Sequence, residues 1–465
     1  SAPCFEPIPF SRREFQESRD RRRTCEARGR WRPLPPDFPK PNQTQLHDPG
    51  EFKSLNDQQK TVPVKKCLHQ DGFEMGFVEF IALAAAMQSL TALSIDAMLP
   101  ALPAIGNDLN TSHANDAQLI VLIMFLGFGL GQIIYGPISD SSGRKPPIYA
   151  GMAIYIIGCL VCITSASLMS MLYGRFLQGF GIAGPRIVIN AVIRDKFEGP
   201  EMARVISFVM AVFILVPVIA PSIGQVILIV FDWRAIFGML LLTAVIALGW
   251  FAIRLKETLD TEQRIRFSLN TSFQAVLMVL RTRKSLGYTL AIGFVFSPFI
   301  GYLSSSQQIF SDVFGMEKEF PYLFATLALS FGAASLMNAR LVMMYGMRSL
   351  SIWSALIITG LSIMFFISLL VNDSEELELW VFMCFMMIVF LCIGFLFGNL
   401  NALAMDPLGH IAGVGASVIG ALYSLISIPL GIVIAQNFDR TVLPLVMGFA
   451  VCGVAVILSI LWAER

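Results

Sequence analysis

The fold class that this sequence predicts is an all-α integral membrane protein, with twelve transmembrane helices in two six-helix halves. Three observations predict it. Hydrophobic residues make up 55% of the 465 positions, charged residues only 14%, and mean hydropathy is +0.66, whereas soluble domains carry about 25% charged residues. Apolar stretches long enough to cross a bilayer, ~20 residues as helix, recur at regular intervals. Basic residues then fall in every second loop between them.

Residues 1–74 are of a different composition. They hold a basic run (Arg19, Arg21, Arg22, Arg23, Arg28, Arg30, Arg32) and a Pro-rich patch from Pro33 to Pro41, with no apolar core. Such a segment reads as a disordered, solvated tail, with anionic lipid or nucleic acid as the less favoured contacts of its basic run. It has no apolar signal-peptide core. The chain begins with Ser1, which fits processing, truncation or a mis-assigned start.

The apolar stretches run over 77–103, 117–138, 147–165, 170–193, 203–230, 235–254, 286–310, 320–341, 350–371, 378–404, 411–435 and 441–463. Loops after even-numbered spans carry Arg144 and Lys145, then Arg194, Lys196 and Arg204, then Arg254 through Lys284, then Arg340 and Arg348. Loops after odd-numbered spans hold Arg234, Lys318 and Arg440 beside Asp312, Glu317, Glu319, Asp373, Glu375, Glu376 and Glu378. Positive residues stay inside, which predicts cytoplasmic termini. The connection 255–285 contains Lys256, Arg264, Arg266, Arg281, Arg283 and Lys284, with Phe273, Val276, Leu277 and Leu280 at helical spacing. A short helix lying on the membrane surface suits that pattern. The organisation expected is a tail over 1–74, a six-helix half over 75–254, a linker over 255–285 and a second half over 286–465. A weak internal repeat agrees with two halves: Gly143 and Lys145 meet Gly346 and Arg348 at an offset of 203 residues.

Three charges lie at membrane depth. Asp96 sits within the apolar stretch from Gly76 to Ile105, where a carboxylate costs several kcal/mol unless it is paired, protonated or wet. Arg175 and Arg186 both fall within the fourth span, eleven residues apart, which places them on one helical face about three turns apart. An Arg stays charged and so needs a partner or water. A neighbouring Arg lowers the pKa of an Asp and burial raises it, so alternation between two settings can load and unload a proton on Asp96. The plainer reading makes Asp96 a hydrogen-bonded structural group beside the Pro100 helix break.

The turn Gly136-Pro137-Ile138-Ser139-Asp140-Ser141-Ser142-Gly143-Arg144-Lys145 resembles the signature loop of the major facilitator superfamily, G-x-L-x-D-R-x-G-R-[KR]. Further stretches narrow the resemblance: Ser94 to Pro103 in span one, Arg175-Phe176-Leu177-Gln178-Gly179, Ala220-Pro221-Ser222-Ile223-Gly224, and Asp232-Trp233-Arg234-Ala235-Ile236-Phe237. Together they look like the drug:proton antiporters of the bicyclomycin/chloramphenicol-resistance type, over residues 77–460. Ser141 replaces the usual Arg, Gln225 a glycine, and Pro217 stands ahead of the span-five motif.

The resemblance implies roles. Gly136, Asp140, Gly143, Arg144, Lys145 and Asp195 would form a gating network, with Asp140 facing the N-terminus of a helix in the other half and Arg144 relaying to Asp195. A positive-inside loop with a capped turn is the simpler alternative. Pro217, Pro221 and Gly224 would bend span five where the two halves seal, as the family's antiporter motif; a plain proline kink is the alternative. Asp96, with Arg175 and Arg186, would couple protons.

Second-half candidates for a substrate cavity are Gln307, Asn399, Asn401 and Tyr423, beside Ser304, Ser305 and Ser306. Uncharged polar groups are tolerable within a bundle, where they bond either substrate or a neighbouring helix. The cysteines, including Cys159 and Cys162, have neither zinc nor disulfide spacing and read as packing. No G-x-x-x-x-G-K-[ST] phosphate loop and no H-E-x-x-H or G-x-S-x-G motif occurs, so neither ATP-driven transport nor enzyme chemistry is expected. The expected protein is a monomeric, cofactor-free, proton-coupled exporter of small amphipathic compounds in a bacterial inner membrane, with no nucleic-acid partner. The alternatives are a proton-coupled or facilitated transporter of a small metabolite and, in a different class, a membrane receptor or sensor.

Overall fold

The computed structural model describes residues 75–264, 269–371 and 377–465. The predicted tail, Arg266, Asp373, Glu375, Glu376 and the side chain of Phe273 lie outside the described residues. Twelve helices among the described residues are long and apolar enough to cross a membrane, in the order the hydropathy pattern predicts, and the fold is all-helical.

Span one, Phe77–Asp108, is broken where its sequence requires it. The regular helix Phe77–Asp96 stops at the carboxylate, a 3-10 turn follows over Leu99–Ala101, and helix resumes over Leu102–Asp108. Proline has no N–H, so Pro100 cannot donate to the Asp96 carbonyl four residues earlier, nor Pro103 to Leu99. Two acceptors are lost in succession, and the helix opens beside Asp96.

Span two, Ala114–Ser142, ends at Gly143, whose φ of +97° lies in the left-handed region that glycine adopts without cost. Span three, Lys145–Ile163, starts at once with Pro146 and Pro147, whose missing N–H groups are orphans there in any helix. Span four, Leu168–Lys196, is capped by Ser167, which accepts from the Ser170 amide. Small residues let it lie against its neighbours: Gly127 and Gly131 of span two face Phe176, Phe180 and Ala183, and Gly151 of span three faces Gly181. Spans five and six, Gly199–Val230 and Arg234–Arg254, complete the first group.

A helix over Leu269–Arg281 lies between span six and span seven. Val279 on it is buried and Val276 and Leu277 are half-buried, while Leu280, which the helical spacing groups with Val276 and Leu277, is exposed. The last six spans are Arg283–Val313, Phe320–Tyr345, Met347–Val371, Leu379–Leu408, Val414–Gln436 and Leu443–Glu464. Aromatic rings fill their interior, with Tyr302, Phe310, Phe320 and Phe382 fully buried.

Two seams join the six-span groups. Along spans two and eleven, a Cβ on Gly129 would stand 2.8 Å from Ser424 Cβ, one on Gly136 2.6 Å from Ser417 Oγ, and one on Gly420 2.4 Å from Gln132 Oε1. The second seam is span five on span eight, where Ile214 rests on Gly332. At the end remote from residues 136–145, hydrogen bonds close the bundle. Asn115 Nδ2 donates to the carbonyls of Gln436 and Phe438, Gln436 Nε2 donates to the Asn115 carbonyl, and Gln308 Nε2 donates to that of Ala114, at 2.8–3.0 Å. Gln118 also bonds Gln308.

Candidate transport site

Asp96 is buried, with 4% of its surface exposed. Among the described residues no side chain hydrogen-bonds or ion-pairs with its carboxyl. Tyr302 of span seven lies within electrostatic reach of it, and the Tyr302 hydroxyl is likewise buried without a partner. Asp96 therefore faces the boundary between the two groups of six spans and not lipid.

The expected association of Asp96 with two guanidinium groups is not what the structure brings together. Arg175 is fully buried, but it serves two backbone carbonyls and one amide: Nε donates to Ile120 O at 3.0 Å, and Nη1 to Ser94 O at 3.1 Å and to the side-chain Oε1 of Gln178 at 2.7 Å. Ser94 O is one of the orphan carbonyls at the end of the Phe77–Asp96 helix, two residues from the acid. Arg175 thus fastens the break that carries Asp96 without touching the carboxylate. Arg186 lies elsewhere. Its guanidinium covers the Phe213 ring of span five at 4.2 Å and reaches toward Tyr423 of span eleven. The two arginines share a helical face, but three turns of helix put them in separate surroundings.

Gly224, the glycine of the span-five motif, packs on this same break. A Cβ there would lie 1.8 Å from the carbonyl oxygen of Ala97. The resemblance implied packing across the two halves at this motif; the glycine packs within the first six spans, on span one. Pro217 and Pro221 lie inside the span-five helix, which continues through both.

The signature-loop residues assemble tightly. Arg144 is buried, with 6% exposed. Its Nε and Nη2 donate to the two Asp195 oxygens at 2.7 and 3.1 Å, while Nη1 donates to Asp140 Oδ1 at 2.6 Å and Ser139 Oγ at 2.7 Å. Lys145 Nζ donates to Leu255 O at 2.8 Å, at the end of span six. Gly136 makes the contact with the other six-span group, through Ser417. Asp140 has its described partner, Arg144, within its own group.

Sequence reasoning missed Glu257. Its carboxylate accepts from the backbone N–H of Arg144 at 2.8 Å, Lys145 at 3.0 Å, Thr258 at 3.0 Å and Leu259 at 3.2 Å. Burial alone raises its pKa, but those four backbone donors outweigh it and hold the carboxyl below its ordinary value. The carboxylate also caps the positive end of span three. Only its position just after span six could have flagged it. Asp108 was missed as well: it ion-pairs with Arg234 at 2.9 Å and accepts from Trp233 Nε1 at 3.3 Å, tying the Asp232–Phe237 stretch to the end of span one.

The second-half candidates divide. Asn399 and Asn338 exchange hydrogen bonds at 2.9 and 3.2 Å, and Asn401 donates to Phe397 O of its own helix at 2.8 Å. Ser304, Ser305 and Ser306 bond carbonyls of their own helix. Those amides and hydroxyls are occupied. Gln307 is buried with Oε1 unpartnered. Tyr423 lies in an aromatic group, 5.6 Å from Phe296 and 6.3 Å from Phe397 between ring centroids. Cys159 and Cys162 are buried and free.

The family model of the Major Facilitator Superfamily matches residues 84–431. The chain belongs to that superfamily. It is an integral membrane transporter, and members of this superfamily are not enzymes. Among its relatives, an MFS-type transporter of Bacillus subtilis, YdgK, is 30% identical over 346 residues, covering 73% of this chain and 84% of that protein. A bicyclomycin resistance protein homolog of Haemophilus influenzae is 28% identical over 390 residues, covering 82% and 94%. The multidrug resistance protein MdtL of Shigella dysenteriae is 26% identical over 344 residues, covering 73% and 84%. The resemblance to drug:proton antiporters read from the motifs agrees with these relatives. Among solved structures, a D-xylose–proton symporter superposes with a TM-score of 0.64 at 14% identity, covering 84% of this chain and 98% of that one. That likeness carries the fold alone.

Proposed function

We propose that the transporter is a proton-coupled antiporter that exports small amphipathic compounds by rocking of two six-helix halves, 75–254 and 286–465, joined by the linker 255–285. The single observation supporting it best is Asp96: a buried carboxyl with no ionic partner, at a helix break, facing a hydroxyl of the other half. A carboxyl so placed is stable when neutral and costly when charged. Its protonation therefore responds to whether water reaches it, which is what alternation between two openings changes. Arg175 positions the break, and the pH gradient supplies the driving force. In this reading the charge-rich end of the bundle, residues 136–145, faces the cytoplasm with both termini, in a bacterial inner membrane. The Asn115–Gln436 end faces outward and is shut, and the protein works as a monomer.

Asp96→Asn, reconstituted in liposomes, is expected to lose pH-gradient-driven accumulation while keeping substrate exchange at zero gradient. A variant that still accumulates substrate against a gradient would remove Asp96 from coupling. Uptake with the gradient reversed separates export from proton-coupled import of a metabolite, the second reading that the fold permits.

A further inference from the structure

Arg186 is a charge that no acidic group among the described residues balances. Its Nη1 is buried with no hydrogen-bond partner. Leaving a guanidinium in this state costs far more than leaving a neutral donor, and an aromatic face recovers only part of that cost. The surroundings add donors. Gln132 of span two holds its side chain against Gly420, one turn from Tyr423, and Gln132 Nε2 is also buried without a partner. Tyr135, one turn further along span two and 3.0 Å from the position of a Cβ on Gly184, carries a third unpartnered buried donor, its hydroxyl. Phe213, under the guanidinium, and the group Tyr423, Phe296 and Phe397, whose rings lie within 5.0–6.3 Å of one another, supply flat apolar surface nearby. One turn along span four, Asn190 is exposed and accepts from Gln88 Nε2 at 2.9 Å.

A positive charge and unfilled donors beside aromatic rings suit an acceptor with a flat apolar body. We infer that Arg186, with Gln132 and Tyr423, receives the anionic end of an aromatic substrate, so that the transported class comprises amphipathic aromatic carboxylates or sulfonates rather than cations. This rests on the export reading above for its physiological sense, but not for its test.

The test is equilibrium binding to the purified full-length protein in detergent, with no gradient present. Three matched probes share one ring system: 2-naphthoate, its neutral methyl ester, and 2-naphthylmethylammonium. Naphthoate is expected to bind at least about tenfold more tightly than either, as one charge-assisted pairing is worth ~1.5–3 kcal/mol. Arg186→Gln should abolish that preference and leave ester binding within about twofold. Arg186→Lys, which keeps the charge, should retain part of it. Phe213→Leu should weaken naphthoate and ester alike, and it tests the site even if Arg186→Gln fails to fold. Tighter binding of the ammonium probe, or an undiminished carboxylate preference in Arg186→Gln, overturns the inference. Displacement of naphthoate by inorganic phosphate at equal concentration also overturns it, since the site would then be an inorganic anion site. If Asp96→Asn transports normally while the naphthoate preference stands, the coupling reading fails and this one survives.

Discussion

Glu257 joins the end of span six to the start of span three by accepting from four backbone N–H groups, two of them, Arg144 and Lys145, in the signature loop. Removal of a helix-capping carboxylate costs ~1–2 kcal/mol. Because its folded-state pKa is lowered, that stability is fully present above the ordinary Glu value of about 4.3 and is lost as pH falls through the lower folded value. Thermal unfolding in detergent should place Glu257→Ala below wild type at pH 7, with the gap narrowing below about pH 4. A gap independent of pH would mean the carboxylate charge is not what holds the turn. The contrast with Asp96 shows what sequence exposes at this scale. An acid inside an apolar stretch announces itself through solvation cost alone, with no knowledge of neighbours. Glu257 stands among other loop charges, and only the fold reveals that two helix ends converge on it.

Prolines and glycines shape the elements, and the two differ in how far they can be read. Pro100 and Pro103 act on carbonyls four residues back in their own chain, so the opening of span one beside Asp96 follows from spacing. Gly224 acts on span one from span five. Its partner, the Ala97 carbonyl, is chosen by packing, so the motif suggested a close approach without naming what it approaches. A methyl group there would sit 1.8 Å from that oxygen, whereas one on Gly238 of span six would meet nothing within 4 Å. Gly224→Ala is therefore expected to lower stability by ~1–3 kcal/mol through forced separation of two helices, and Gly238→Ala to leave it within about 0.5 kcal/mol. Differential scanning fluorimetry of the two variants checks this. Equal midpoints would show that the span-one break yields, and would remove Gly224 as the reason it holds its shape. The paired asparagines teach the converse lesson. Asn399 looked available from sequence, but helix-to-helix pairing with Asn338 could not be told from an open amide without the neighbouring span.

At the scale of the whole molecule, the two ends of the bundle are held by different chemistry, and that difference sets which end yields. Hydropathy along the chain was enough to count the spans, since it is a property of the chain in bilayer and water. Which end is latched depends on residues distant in sequence meeting, and no pattern in the chain encodes it. At the far end, Asn115, Gln118, Gln308 and Gln436 form a direct polar latch between spans two, seven and eleven. At the signature-loop end the described ion pairs stay within each group of six, as Arg144 with Asp195 and Arg348 with Glu464, and the groups meet through small residues such as Gly136 and Ser417. If each hydrogen bond contributes ~0.5–1.5 kcal/mol, Asn115→Ala combined with Gln436→Ala removes four bonds and about 2–6 kcal/mol from the closed far end. An equilibrium between two openings then shifts by at least about tenfold toward the far-open state. Hydrogen–deuterium exchange should rise over residues 114–118 and 436–438 in the double variant, with exchange falling where the loop ends of spans two and eleven come together. Faster exchange at the far end alone, with the loop end unchanged, would mean that the latch orders a local turn and does not balance the two ends against each other.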